Sequence, residues 1–202
     1  GSTVSYNAFT GSHYGWSSSA FEEGTLVSMT GENRRLGKDG PGEPIYGIVA
    51  ATKPNDPAVL GAYASPLNVG GHADTHLVSS VGNGDLCVVD RGGDIEPGDY
   101  LISSDITGCA MKDDPERFAI GHIVAKAADR ISWKAVQPGP DGVRRAKASV
   151  LFESFVRDSQ GQAAAAEIQG LRLENAELRE RLEHVERIIL QKSASANQPR
   201  SP

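Results

Sequence analysis

The sequence predicts a mainly β chain: a compact multi-stranded β domain followed by a long C-terminal α-helix that forms a parallel trimeric coiled coil. Three observations carry this. Gly supplies 23 of the 202 residues, and such a density of the residue that tolerates positive φ marks many tight turns. Between those turns, residues 21–136 hold short apolar runs of strand length. Beyond residue 158 the chain is built largely of Ala, Glu, Leu, Arg and Gln, all strong helix formers, with apolar residues at alternating spacings of three and four.

Taken in order, residues 1–20 read as an extended polar arm with interleaved aromatics, Tyr6, Phe9, Tyr14 and Trp16, and Gly1-Ser2 reads as a cloning scar. Candidate strands of the β domain are 25–29, 45–51, 77–81, 86–90, 99–103, 119–127 and 131–136. Asn83-Gly84 is the pair favoured by a two-residue hairpin turn, because both central positions need φ > 0. It therefore predicts a hairpin between the third and fourth strands. Pro138-Gly139-Pro140-Asp141-Gly142 cannot be helical, and 137–158 reads as linker and connector. Asp158 or Ser159 is placed to cap a helix over 159–192. The Ser-, Ala-, Asn- and Pro-rich tail 193–202 reads as disordered.

Net charge is −6. Residues 143–202 carry 10 basic and 8 acidic groups, a net +2, so residues 1–142 hold a net −8. An acidic β region argues against nucleic acid as a partner, since phosphate binding rests on clustered Lys and Arg. No run approaches the length of a membrane-spanning helix. Cys87 and Cys109 each sit in an apolar setting and read as small core residues; a disulfide between them stays open, because nothing in the spacing requires it.

The sharpest signal is the heptad. Ile168, Leu171, Asn175, Leu178, Leu182, Val185 and Ile189 form an a/d seam over three heptads. With Ile168 at a, the g residues are Glu167, Glu174 and Arg181, and the e residues five further on are Arg172, Arg179 and Glu186. All three pairs are opposite in sign, which favours parallel, in-register chains. Asn175 at a is a dimer-specifying feature. Against it, the Arg181–Glu186 spacing fits a trimer, in which the Arg stem covers the seam and its head pairs with Glu of the next chain.

Chemistry-bearing clusters are sparser. On a strand, His72, Asp74 and His76 would share one face and could ligate Zn or Fe; a polar loop is the other reading. Ser28 with Lys38 or Lys53 lacks the spacing of a Ser–Lys dyad. Adjacent Glu22 and Glu23 make a poor acid–base pair. Gly82-Asn83-Gly84 lacks the helix that a phosphate loop needs. Nothing calls for a cofactor.

The segments Ile95–Ser104, with its Pro97-Gly98-Asp99-Tyr100-Leu101 block, Thr107–Lys112 and Ile120–Ala127 resemble the C-terminal β domain of phage tail-fibre and neck-appendage proteins. Gly47–Ala51 and Ala58–Gly61 fit earlier strands of that domain, and Gly11-Ser12-His13-Tyr14 lies where it has a Gly-Ser-Asp-Tyr-type segment. The resemblance implies an intramolecular chaperone, similar in role to endosialidase-type and myelin regulatory factor-type domains. Such a domain trimerises, brings a β-rich fibre, spike or adhesin into register, and is often released by self-cleavage. The endosialidase-type Ser-Asp-x-Arg-x-Lys segment is absent, and His13 stands where the neck-appendage group has Asp. A self-cleaving peptidase would then use Ser12 with His13.

The expected function is thus C-terminal trimerisation, with the chain itself and the upstream fibre segment as partners, neither nucleic acid nor membrane among them, in a phage virion or host cytoplasm during assembly. A cell-surface adhesin is the second placement. A receptor- or glycan-binding tip using Tyr14 and Trp16, and a peptidase or metal-dependent enzyme, are the alternatives.

Overall fold

The structure, a computed structural model, describes residues 11–36, 42–69 and 71–196. The first ten residues of the arm, Lys38 and the last six residues of the tail lie outside that set. Among the described residues the chain is mainly β, with ten strands, one short 3-10 turn and one C-terminal helix. It divides into two units, one ending at Arg157 and one beginning at Asp158.

The strands are β1 (Gly11–Trp16), β2 (Leu26–Met29), β3 (Arg34–Arg35), β4 (Pro44–Ala50), β5 (Val59–Val69), β6 (His72–Val89), β7 (Tyr100–Ser103), β8 (Ala110–Lys112), β9 (Ile120–Ala127) and β10 (Arg145–Asp158). Their pairing order is β1-β4-β2-β5-β6-β10-β9-β7-β8, with β3 on β4 and two further pairings, β1–β6 and β6–β8. Those two pairings close the sheet twice. One ring is β1-β4-β2-β5-β6 and the other is β6-β10-β9-β7-β8. Two five-stranded barrels therefore share one strand, and among the described residues each ring of pairings is closed.

The 18-residue β6 is that shared strand. Its first half pairs with β1, from Val81↔Gly11 to Thr75↔Trp16, and with β5. Its second half pairs with β10, from Gly82↔Phe152 to Val89↔Arg145, and with β8 at Val88↔Ala110. The expected Asn83-Gly84 hairpin does not form, because the strand runs straight through it. Gly82 takes the positive φ, +94°, at the point where pairing passes from one barrel to the other. Gly84 is needed for a different reason. A Cβ there would sit 2.6 Å from the ring of Phe152, a core residue only 2 % exposed.

Alternation along β6 feeds separate cores. Leu86 and Val88 join Leu101, Ala110, Ala125, Ala148, Val150 and Phe152. Cys87 and Val89 face Ile102, Met111, Ile123 and Val143. Val78 lies in the first barrel with Val27, Ile48 and Tyr63. Cys87 and Cys109 are not independent core residues: they form a disulfide with Cα atoms 4.7 Å apart.

Several expected boundaries move. Residues 11–16 belong to the barrel, paired with β4 on one side and β6 on the other, and are not part of an extended arm. Within the expected strand 131–136 only Ile131 is bridged, to Ile95. Trp133–Ala135 turns as a 3-10 helix, because Asp94 accepts from the Trp133 amide and Gly93 carbonyl from its indole N–H. The expected connector 137–158 holds a tight turn and then β10. Gly142, at φ +77°, closes the turn, and Asp141 accepts from the Val143 amide and from both terminal nitrogens of Arg145. The Arg145 guanidinium holds the Asp141 carboxyl down to about 2.

At the end of β10, Arg157 is buried, forming a two-point ion pair with Asp113 at 2.5 and 2.9 Å and donating to the Phe118 carbonyl. Gly121 leaves room for that guanidinium, since a Cβ there would lie 2.7 Å from Nη2. Removing one member of a buried pair strands the other charge. Arg157→Met is therefore expected to lower stability by about 3–5 kcal/mol in denaturant unfolding, and Gly121→Ala to be destabilising by displacing the same side chain. Asp141→Asn gives a pH test. A depressed carboxyl contributes stability above its unfolded value of 3.8 and loses it as pH falls through about 2. The melting-temperature gap between this variant and wild type should be present at pH 6 and close toward pH 2.

Candidate functional site

The second unit is built from helix α1 (Ser159–Ala196), 38 residues long. Asp158 caps it, its Oδ1 accepting from the Gly161 amide at 2.8 Å, as an N-cap carboxylate does. The helix extends four residues past the expected end at Lys192, through the Ala-containing start of the tail. At 1.5 Å per residue it is roughly 57 Å long.

The a/d residues whose side chains are described lie in the open. Ile168 is 51 % exposed, Leu171 and Leu178 52 % and Leu182 60 %. Asn175, between them, is exposed and donates from Nδ2 to the Leu171 carbonyl at 3.0 Å. Arg181 is exposed as well. The side chains of Val185, Glu186 and Ile189 lie outside the described residues. An isolated helix gains little from exposing such a stripe, because most helical stability in water comes from burying an apolar face.

The other candidates are dispersed by the fold. Ser12 and His13 are consecutive on β1, and side chains of consecutive strand residues point to opposite faces. His13 packs edge-on against Tyr46, with ring centroids 5.7 Å apart, and no hydrogen bond joins it to Ser12 among the described contacts. The pair therefore does not form the nucleophile–base contact that a self-cleaving peptidase needs. Ser28 is likewise engaged, donating to Asp56 Oδ2 at 2.7 Å rather than to a lysine.

His72, Asp74 and His76 do lie on one strand, as expected, yet their ligating atoms do not converge. The Asp74 carboxylate is bound by Arg34 at 2.7 Å, which holds it below the usual carboxylate range. His76 turns inward between Phe21 and Tyr63, with its Nε2 3.2 Å from the Ser17 carbonyl. No group of three metal-ligating residues forms among the described residues. Trp16 is also occupied. The Arg34 guanidinium lies 3.5 Å over its ring, and its indole N–H donates to the Glu32 carbonyl at 2.7 Å. Arg34 thus covers one face of the indole that the glycan reading would use. No described helix is long and apolar enough to cross a membrane.

The chain matches no protein-family model and no curated protein.

The Arg34 contact predicts a spectroscopic outcome. Arg34→Ala uncovers the Trp16 ring while Trp133 stays buried at 6 % exposure. Iodide quenching of tryptophan emission should rise in the variant, and unchanged quenching would show that Arg34 does not cover the ring.

Proposed function

We propose that the chain is a homotrimeric assembly module, in which three copies join through α1 as a parallel coiled coil. The observation that carries this reading is the exposed seam Ile168–Leu171–Leu178–Leu182 on a helix whose flanks carry complementary charges. Burying four such side chains at about 1.5–3 kcal/mol each supplies most of what a marginal helix lacks. Glu167 and Arg172, Glu174 and Arg179, and Arg181 and Glu186 occupy g and e positions five apart, the register in which parallel neighbours pair. Arg181 and Glu186 favour three strands over two, with the Arg stem lying over the seam.

The resemblance of the β unit to phage tail-fibre and neck-appendage C-terminal domains supports the role of such a trimer: an intramolecular chaperone that registers an upstream β-rich fibre, spike or adhesin of the same polypeptide. The physics of such fibres makes the role useful. Long β assemblies form non-local pairings slowly, and fixing three ends together removes much of the search. A module of this kind acts by binding its own copies. Release by self-cleavage would require groups other than a Ser12–His13 dyad.

The register has a specific test. Glu174→Arg should place like charges at the g–e′ contact and lower the concentration-dependent melting temperature of the oligomer. Adding Arg179→Glu should restore it, because the pair is then swapped. A double variant no better than the single would contradict parallel in-register pairing. Leu178→Asp should give a monomer by sedimentation, and a trimer mass for that variant would overturn the seam.

A further inference from the structure

We propose that the Cys87–Cys109 disulfide is a redox-responsive clamp on the joint between the two barrels. The chain has two cysteines, and both are in this bond. Cys87 lies on the second half of β6. Cys109 ends the 104–109 loop between β7 and β8, at 4 % exposure.

That loop makes backbone contacts between the barrels, beside those of Asn55, whose amide donates to the Ser103 carbonyl at 2.9 Å. The Leu26 amide donates to the Gly108 carbonyl at 2.7 Å, and the Gly108 amide donates to the Ala51 carbonyl at 2.7 Å. The Cys87 amide itself donates to the Gly24 carbonyl at 2.8 Å. Gly108, at φ +72°, lies against Thr25 so closely that a Cβ would meet its Cγ2 at 2.7 Å. Leu26 opens β2 and Ala51 follows β4 in the first barrel, whereas Cys87 and Cys109 belong to the second. The disulfide thus ties the docking loop to the strand that both barrels share.

Each barrel closes its own ring of strand pairings, and the largest core runs across the joint, bringing Leu26, Ala51 and Ala62 of the first barrel against Leu86, Val88 and Phe152 of the second. Breaking the bond leaves those rings and that core in place and frees the loop from β6. Formation is a two-electron oxidation of the two thiols by a low-molecular-weight disulfide. One oxidant sulfur is displaced as a thiol when the first cysteine forms a mixed disulfide, and the second thiol leaves when the other cysteine closes the bond. Reduction by a dithiol reverses both steps. Cys87 is the half-buried partner and so the sulfur a reductant reaches, with Cys109 as the leaving thiolate.

The test compares the full chain after equilibration with oxidised glutathione and after reduction with dithiothreitol. Thiol titration under denaturing conditions should find none in the oxidised protein and two per chain in the reduced one. Hydrogen exchange should then show the amides of Leu26, Cys87 and Gly108 exchanging at least about tenfold faster on reduction. The ladder amides of Val78 and Val150, within the barrels, should change less than about twofold. Two thiols in the oxidised protein, equal exchange at the joint in both states, or a uniform rise across all five amides would each overturn the proposal. Cys109→Ser should reproduce the reduced pattern without reductant, and an exchange pattern matching the oxidised protein would overturn it equally.

Discussion

The continuity of β6 through Gly82 is the constraint on which the β unit depends. A strand of 18 residues, about three times the usual length, has to supply both neighbours on both of its edges. It does so by dividing its length between β1 and β5 on one half and β10 and β8 on the other. A substitution that stiffened Gly82, at φ +94°, or gave Gly84 a side chain against Phe152, would act on both barrels at once. The disulfide, the cross-barrel hydrogen bonds of Gly108 and the packing of Leu26 into the larger core add further ties between the two barrels.

The two units divide the physical work differently. The β unit closes both rings of strand pairings and buries its apolar residues in cores fed from alternate strand faces. The helix does neither for its apolar stripe, and its side chains at Ile168, Leu171, Leu178 and Leu182 gain burial only from another surface. The proposed surface is that of a second copy in parallel, the arrangement that the charge pattern beside them favours. In the proposed account the closed rings keep the β units from associating edge to edge, so that registration is left to the seam.

What the sequence displayed was local. Helix α1 and its Asp158 cap were legible because periodicity and capping act over a few residues. So were β2, β4, β7 and β9, each a short apolar run within one or two residues of its expected bounds. β10 was passed over although Ala146, Ala148, Val150 and Phe152 alternate plainly, because Pro138–Gly142 resembled a domain boundary and is in fact a turn locked by Asp141 and Arg145. Asn83-Gly84 was misread since neither residue takes a positive φ: Gly82 does, and Gly84 serves instead to leave room for the Phe152 ring. The candidate sites failed for long-range reasons. Arg34, forty residues from Asp74, takes the carboxylate that a metal would need and covers the Trp16 ring as well. Neither the β1–β6 and β6–β8 closures nor the cysteine pairing leaves any sign in local pattern.

The central claim, that α1 joins three copies, is tested most directly by light scattering of the full chain and of a version ending at Asp158, over a range of concentrations. The account predicts a mass near three times 21.3 kDa for the full chain and one chain mass for the shortened one. A full chain that stays at 21.3 kDa throughout would contradict it.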